Sequence, residues 1–288
     1  MSDQESTAIL TPANDPEMVQ AAEKARQTFK YFWREMSWER RRIIPGLELA
    51  AVKATFEDPP EFRTGDSDEL EKEHMWLIDV DFDGKYLTGT LINSPHSLKS
   101  VKVRDEVKVP GKQICDWMYV MLGKVYGGFT VDLMRSRLDG SDRREHDKAW
   151  GFDFGEVGVV NLVPPDYIGE KAPKQGFFSK LFGGGAKEEP QDYAKVAAHE
   201  HPMSVNMRSS LEEALASNPE MLTTPDDRGL TFLHQLALGG SLDGVDVCLN
   251  HGADPNKPAG NGMTPYMLAK SLGWKKVMRR LEQAGASA

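Results

Sequence analysis

The sequence predicts an α+β domain, with a small twisted antiparallel sheet and helices, followed by an all-α domain built from repeats. Short apolar alternations separated by turn signals occur in the first half, and helical periodicity returns in the last third. Between them lies a segment rich in glycine and proline, which is typical of a linker. The predicted organisation is a disordered leader over residues 1–15, the α+β domain over 16–167, the linker over 168–205 and the repeats over 206–288.

The α+β domain is predicted to begin with a helix. Asp15 can cap its first turn, Pro16 suits the first helical position, and apolar residues recur at helical spacing as far as Met36. Pro45-Gly46 then ends the helical region. Residues 47–56 are predicted to form the first strand.

A hairpin is the clearest β signal. Asp83-Gly84 is a turn sequence, with a strand before it and a return strand at residues 86–92. In the first of these strands, alternation predicts that four apolar side chains face the core together: Trp76, Ile78, Val80 and Phe82. Residues 114–121 fit a helical face, with a strand as the alternative, and residues 157–163 predict a short strand.

The composition excludes several classes of protein. Of the 288 residues, 40 % are hydrophobic and 27 % are charged, so the chain can form a packed core. A net charge of −9 makes nucleic acid an unfavourable partner. No apolar run approaches the ~20 residues that span a bilayer, and the acidic beginning predicts no signal peptide. Cys115 and Cys248 lie far apart, which fits a cytoplasmic protein without disulfides.

One segment carries the whole net charge. Residues 57–83 hold eleven acidic side chains against Arg63 and Lys72. One interpretation is a solvated loop that favours solubility. The other is a docking surface for a basic partner, because a surface of one sign accelerates association with a partner of the opposite sign.

The predicted linker contains an apolar cluster. Phe178, Leu181 and Phe182 recur at helical spacing among glycines and lysines. A flexible linker has no reason to expose three large apolar side chains. We expect them to occupy a groove on one of the chain's own domains, with a partner-docking helix or a weak membrane contact as the alternatives.

A repeat with a period of about 33 residues follows the linker. Equivalent residues recur in two copies: Gly229 and Gly262, Thr231 and Thr264, Gly252 and Gly285, Ala253 and Ala286. Residues 209–286 resemble the ankyrin repeat, although Phe232 stands where proline is usual and Met267 where histidine is usual. The resemblance implies that His234 is structural and joins neighbouring loops.

A helical half-repeat over residues 209–222 precedes these copies. Together they predict an ankyrin-repeat stack of about two and a half repeats. In the first copy, one extra residue is expected between Gly240 and Val245.

Three strings in the first domain carry a second resemblance. They are Glu73-His-Met-Trp-Leu77, Gly89-Thr-Leu-Ile-Asn-Ser-Pro95, and Ile114-Cys-Asp-Trp-Met-Tyr119 followed by Tyr126-Gly-Gly-Phe129. Together they resemble the bacterial family called domain of unknown function 2314, over about residues 16–165. The resemblance implies a compact α+β unit and no known activity.

Few residues offer catalytic chemistry. Cys115 with His74 or His96 could form a nucleophile and a base, and Asp116 is a further acid, but no motif fixes their geometry. A cysteine between large apolar residues is usually a small core residue. His199-Glu-His201 lacks the zinc-protease spacing, and no phosphate-binding glycine loop occurs. We therefore expect no catalytic residues, no metal and no cofactor.

Two functions remain. The first is a protein-binding module, and the resemblances imply a more specific form of it. That form is a cytoplasmic immunity protein, monomeric alone, that neutralises a cognate basic toxin or effector protein such as a nuclease. The alternative is an uncharacterised enzyme or small-ligand-binding domain whose repeats select a substrate protein. The predicted binding residues lie on the acidic segment and at the loop tips of the repeats: Asp66, Asp68, Glu69, Glu71, Asp79, Asp81, Asp83, Arg228, Leu230, Asn261 and Met263.

Overall fold

The computed structural model describes residues 15–62, 72–170 and 189–287. The chain divides into two compact units. Unit 1 comprises residues 1–29 and 47–160, and unit 2 comprises residues 30–46 and 161–288. The division falls inside the first helix, α1 (Pro16–Glu39), whose acidic and capped beginning follows Asp15 as predicted. The apolar cluster of Phe178, Leu181 and Phe182 lies outside the described residues.

Unit 1 is built on a six-stranded antiparallel sheet, which confirms the predicted α+β class. The strands are β1 (Leu49–Glu57), β2 (Lys72–Phe82), β3 (Tyr86–Leu91), β4 (Glu106–Pro110), β5 (Ile114–Met121) and β6 (Lys124–Gly127). Their spatial order is β4-β3-β2-β1-β5-β6. Helices α2 (Phe129–Arg137) and α3 (Gly140–Trp150) follow the last strand.

The middle of the sheet is covered on both faces. On one face, Trp117 donates its indole N–H to the Ala25 carbonyl of α1. On the other face, Met118 packs with Trp76 and Val131. Strand β5 is therefore buried along seven of its eight residues and shows no alternation, so the helical interpretation of residues 114–121 was wrong.

A bulge in β2 overturns the expected shared face of its apolar residues. The pairing with β3 shifts between Ile78 and Asp81, and Asp79 adopts a left-handed φ of 50°. Ile78, before the bulge, stays on the Trp76 side of the sheet. Phe82, after the bulge, lies on the other side, where it contacts Phe29 of α1 edge-on at 5.4 Å. One inserted residue therefore separates side chains that strict alternation would keep together.

The predicted strand over residues 157–163 is also wrong, because this segment is irregular. Its end is held by a side chain. The Gln191 amide oxygen accepts the N–H groups of Leu162 and Val163, and the Gln191 amide nitrogen donates to the Val163 carbonyl. One buried glutamine thus replaces the hydrogen bonds of a neighbouring strand.

Unit 2 is helical. Besides the second half of α1, its described helices are α4 (Tyr193–Ala198), α5 (Pro202–Asn206), α6 (Arg208–Ser217), α7 (Phe232–Leu238), α8 (Leu242–Asn250), α9 (Pro265–Ser271) and α10 (Lys275–Gln283). None of the described helices has the length and apolarity needed to cross a membrane.

The last four helices repeat at a constant interval. The step from the start of α7 to the start of α9 equals the step from the start of α8 to the start of α10. Gly244 and Cys248 of α8 occupy the buried positions that Val277 and Leu281 occupy in α10. The expectation of an extra residue in the first copy was therefore wrong. Gly244 corresponds to the apolar Val277 of the second copy, and the absence of an apolar side chain at position 244 made the two copies seem one residue out of register.

Candidate functional site

Asp116 is a buried polar centre of unit 1. Its carboxylate accepts hydrogen bonds from the backbone N–H groups of Trp117, Phe129 and Thr130, at 2.8–3.0 Å, and from the Thr130 hydroxyl at 2.5 Å. The Lys53 ammonium donates to the same hydroxyl at 2.8 Å. Burial raises the pKa of Asp116, and the Lys53 charge and these hydrogen bonds oppose that rise. Asp116 thereby caps the first turn of α2 from strand β5, which is a structural role.

Glu73 and Asn93 join strand β2 to the segment that follows β3. The buried Glu73 carboxylate accepts the N–H groups of His96, Ser97 and Leu98 at 2.6–3.0 Å. Burial alone would raise the pKa of Glu73, but these hydrogen bonds outweigh it and lower the pKa. The Asn93 side chain oxygen accepts the N–H of Trp76 at 2.7 Å.

Gly127 completes this framework. It has a φ of 78°, and a Cβ at this position would lie 2.3 Å from the Trp117 carbonyl oxygen. Only glycine fits this close approach of β6 to β5. The strings that carry the second family resemblance therefore contain buried residues that anchor the fold: Glu73, Asn93, Asp116 and Gly127.

Cys115 and His74 are brought together by the sheet. The Cys115 Sγ lies 3.6 Å from His74 Nδ1, and the Thr55 hydroxyl lies 3.0 Å from the same nitrogen. Burial raises the pKa of Cys115 to about 12. Desolvation lowers the pKa of His74, and the Lys53 and Lys72 charges lower it further. Both groups are therefore neutral at pH 7, whereas an activated nucleophile needs a thiolate.

The predicted acidic residues differ in their surroundings. Asp79 is exposed in the β2 bulge, and Asp81 is half-buried. Asp83 accepts the N–H groups of Lys85 and Tyr86 at 2.8 and 2.7 Å, so it holds the β2–β3 turn. The remaining four lie outside the described residues: Asp66, Asp68, Glu69 and Glu71.

The predicted loop-tip residues of the repeats also separate into different environments. Asn261 is exposed and Met263 is half-buried. Arg228 is half-buried and pairs with Asp226 at 2.7 Å. Leu230 is fully buried, so the predicted surface role does not fit this residue.

His234 joins two loops, as the ankyrin resemblance implied. Its Nδ1 accepts from the Thr231 hydroxyl at 2.6 Å, and its Nε2 donates to the Lys257 carbonyl at 2.8 Å. The side chain is fully buried, and burial lowers its pKa. This histidine therefore links the start of α7 to the loop before α9.

His201 forms a second buried network that the sequence did not reveal. Its Nδ1 accepts the Met203 N–H, which caps α5, and its Nε2 donates to Glu35 at 3.0 Å. Glu35 also pairs with Arg42 at 2.9 Å. Burial lowers the pKa of His201, and Glu35 opposes this shift. The sequence prediction places His199-Glu-His201 in the linker. The partner of His201, Glu35, lies 166 residues away, so no local pattern indicates this network.

A cleft of about 260 Å3 lies in unit 2 and is hereafter called the arginine cleft. It is lined by residues of α1 and α7 and of the loops that follow or precede them, among them Trp33, Arg40, Arg41, Arg228, Phe232 and Gln235. The sequence shows the run Arg40-Arg-Arg42, but nothing local links it to Arg228.

Arg41 is the central cation of the arginine cleft. It donates to the Ser37 carbonyl and, at 3.0 Å, to the Gln235 amide oxygen. Its guanidinium carbon lies 5.5 Å from the centre of the Phe232 ring. Desolvation, together with the charges of Arg40 and Arg228, lowers the pKa of Arg41 to about 10. The residue remains a cation at pH 7 and has no carboxylate partner among the residues that the structure describes.

Comparisons with known proteins agree with this architecture. Residues 15–154 match the family model described as "Uncharacterized protein conserved in bacteria (DUF2314)". A protein of Neisseria meningitidis serogroup B, named "Putative ankyrin repeat protein", is 38 % identical over 268 residues, which cover 93 % of this chain and 94 % of that protein. The "Uncharacterized protein YegJ" of Escherichia coli K12 is 36 % identical over 66 residues, or 23 % of this chain and 43 % of that protein. The chain belongs to the same family as the Neisseria protein, and its residues 15–154 match the model of domain of unknown function 2314.

Proposed function

We propose that this chain is a protein-binding module whose unit 2 carries ankyrin-type repeats. The observation that carries the proposal is the constant interval between the helix pairs, combined with the bond from His234 to the loop before α9. The next loop is tied in a similar manner, because the Asn256 amide donates to the Gly285 carbonyl at 2.9 Å. The name of the Neisseria relative supports the same interpretation. Stacked repeats of this kind present loops and helix faces to protein partners.

The first-helix face of the repeats is partly covered within unit 2. The ring of Phe232 on α7 faces Arg41, which follows α1, and a Cβ at Gly239 would lie 2.9 Å from the Ser37 hydroxyl. The second half of α1 therefore packs against α7. Outside this covered part, exposed positions remain at Asn261 and at Met267, which is 42 % exposed on α9.

In its more specific form, we propose an immunity function, in which the chain neutralises a basic toxin or effector in the cytoplasm. Support comes from the charge of residues 57–83, which equals that of the whole chain, and from the exposed Asp79. A protein that binds phosphate carries a basic surface, and an acidic surface can cover it.

The test begins with co-purification of the tagged full chain from cells that express it naturally. A partner recovered at one-to-one stoichiometry is purified, and its association rate is measured at several salt concentrations. The four-site variant Asp66→Asn, Asp68→Asn, Glu69→Gln and Glu71→Gln should associate more slowly at low salt. The difference should shrink at high salt, because exposed charges are screened beyond about 8–10 Å near physiological ionic strength.

A matched control removes the same charge elsewhere. Four exposed glutamates outside the acidic segment are replaced by glutamine: Glu145, Glu156, Glu213 and Glu220. A local docking surface predicts a smaller effect of this control than of the four-site variant. Equal association rates for both variants and the wild type would contradict a docking surface and leave residues 57–83 with a role in solubility.

A further inference from the structure

We propose that the arginine cleft binds a carboxylate group presented by an acidic segment of a protein partner. This inference rests on the proposed protein-binding function and adds the chemistry of one contact. It does not depend on the sign of the partner's total charge, because only a short acidic segment has to enter the cleft.

The arginine cleft is lined by positive charge. Three guanidinium groups line it, from Arg40, Arg41 and Arg228, and no carboxylate is among the described residues that line it. Asp226 balances Arg228 from outside the lining. Arg41 donates hydrogen bonds to two neutral oxygens, the Ser37 carbonyl and the Gln235 amide oxygen. The cleft therefore keeps a positive charge that an entering anion can neutralise.

Aromatic side chains form two walls of the arginine cleft. The guanidinium carbon of Arg40 lies 4.9 Å from the Trp33 ring centre, and that of Arg41 lies 5.5 Å from the Phe232 ring centre. These contacts fix the cations before a ligand arrives. A planar guanidinium offers paired N–H donors that match the two oxygens of a carboxylate, and the apolar rings around it strengthen such a bond by excluding water.

The size of the cleft selects among anions. The cleft has a volume of about 260 Å3. Pockets for drug-sized ligands and cofactors are larger, at about 300–1,000 Å3. A polyanion such as nucleic acid is disfavoured by the net charge of −9. A glutamate or aspartate side chain with part of its flanking backbone fits these limits.

The proposal is tested by fluorescence anisotropy with the full chain and a labelled hexaglutamate peptide. A hexaglutamine peptide and inorganic phosphate serve as the neutral and the free-anion probes. Arg40→Gln and Arg228→Gln should each weaken hexaglutamate binding about five- to tenfold, as expected for the loss of one partly exposed charged hydrogen-bond donor. Arg279→Gln removes the same charge from an exposed position on α10 and should leave binding unchanged.

Arg41→Gln should abolish binding, provided that its thermal unfolding shows a folded protein. If that variant does not fold, Arg40→Gln and Arg228→Gln still decide the question. The proposal is overturned if these two variants bind hexaglutamate as the wild type does, if hexaglutamine binds equally well, or if inorganic phosphate displaces the peptide at equal concentration. If a purified partner binds both variants as tightly as the wild type, the proposed contact in the arginine cleft is refuted, but the proposed protein-binding function is supported. If no partner is found but the variants weaken hexaglutamate binding as expected, the carboxylate site is supported and the proposed protein-binding function is not.

Discussion

Replacement of Asp116 by asparagine should destabilise unit 1 strongly, although the two side chains have nearly the same shape. The carboxylate accepts four hydrogen bonds in a fully buried position. An asparagine has one acceptor oxygen, and its amide group would face N–H donors. At least two donors would lose their acceptor, at a cost of about 1–3 kcal/mol each. We therefore expect a loss of about 2–6 kcal/mol, which is a large part of the ~5–15 kcal/mol that stabilises a typical domain.

The assay is native-state hydrogen exchange on the full chain, which reports each unit separately. In Asp116→Asn, the amides of Phe129 and Thr130 should exchange faster, together with those of the neighbouring strands. Asp139→Asn is the matched control, because the Asp139 side chain caps α3 through Ser141 and Asp142 at an exposed site. A smaller and local effect is expected there. If Asp116→Asn changed exchange no more than this control, the capping role of the buried carboxylate would be refuted.

Three further outcomes are expected. Gly127→Ala should unfold unit 1 at a much lower denaturant concentration, whereas Gly123→Ala should cost less, because it has a similar φ of 72° with no atom within 4 Å of the new Cβ. The Cys115 thiol should react slowly with a disulfide reagent at pH 8 and rapidly in urea, since burial raises its pKa to about 12; fast labelling of the folded chain would contradict this. Because burial lowers the pKa of His201, the unfolded chain binds a proton more readily than the folded chain, and the free energy of unfolding should fall as the pH drops below about 6.5. His201→Gln should reduce the slope of this free energy against pH by up to about 1.4 kcal/mol per pH unit. An unchanged slope would show that another group binds the proton.

The features that sequence reasoning predicted are those with local causes. The β2–β3 hairpin follows from Asp83-Gly84, since the Asp83 carboxylate binds amides only two and three residues ahead. The repeats follow from recurring residue types at a fixed interval, and the structural role of His234 was implied by the ankyrin resemblance that those residues carry. In each case the determining contact lies within the motif or one repeat away.

The features that it missed depend on distant parts of the chain. Strand β5 resembles a helix because both of its faces are buried, and only its neighbours in the sheet determine this. The bulge at Asp79 changes the face of every residue after it, although the residue itself is an ordinary surface aspartate in the sequence. The arginine cleft joins Arg41 to Gln235 across 194 residues, and no local period connects them.

The residues that identify the family are therefore poor guides to what the protein binds. Glu73, Asn93 and Asp116 accept hydrogen bonds from backbone N–H groups of the fold, and Gly127 makes room for the Trp117 carbonyl, so these residues serve the fold of unit 1. A relative that shares them shares the fold of unit 1 for the same physical reasons. We expect differences in partner to arise where side chains are exposed or lack a carboxylate partner within the described part of the chain, such as Asp79 in the β2 bulge and Arg41 in the arginine cleft. Substitutions of the buried residues in unit 1 should therefore lower stability. Substitutions of the exposed and cleft residues should alter binding while the fold remains intact.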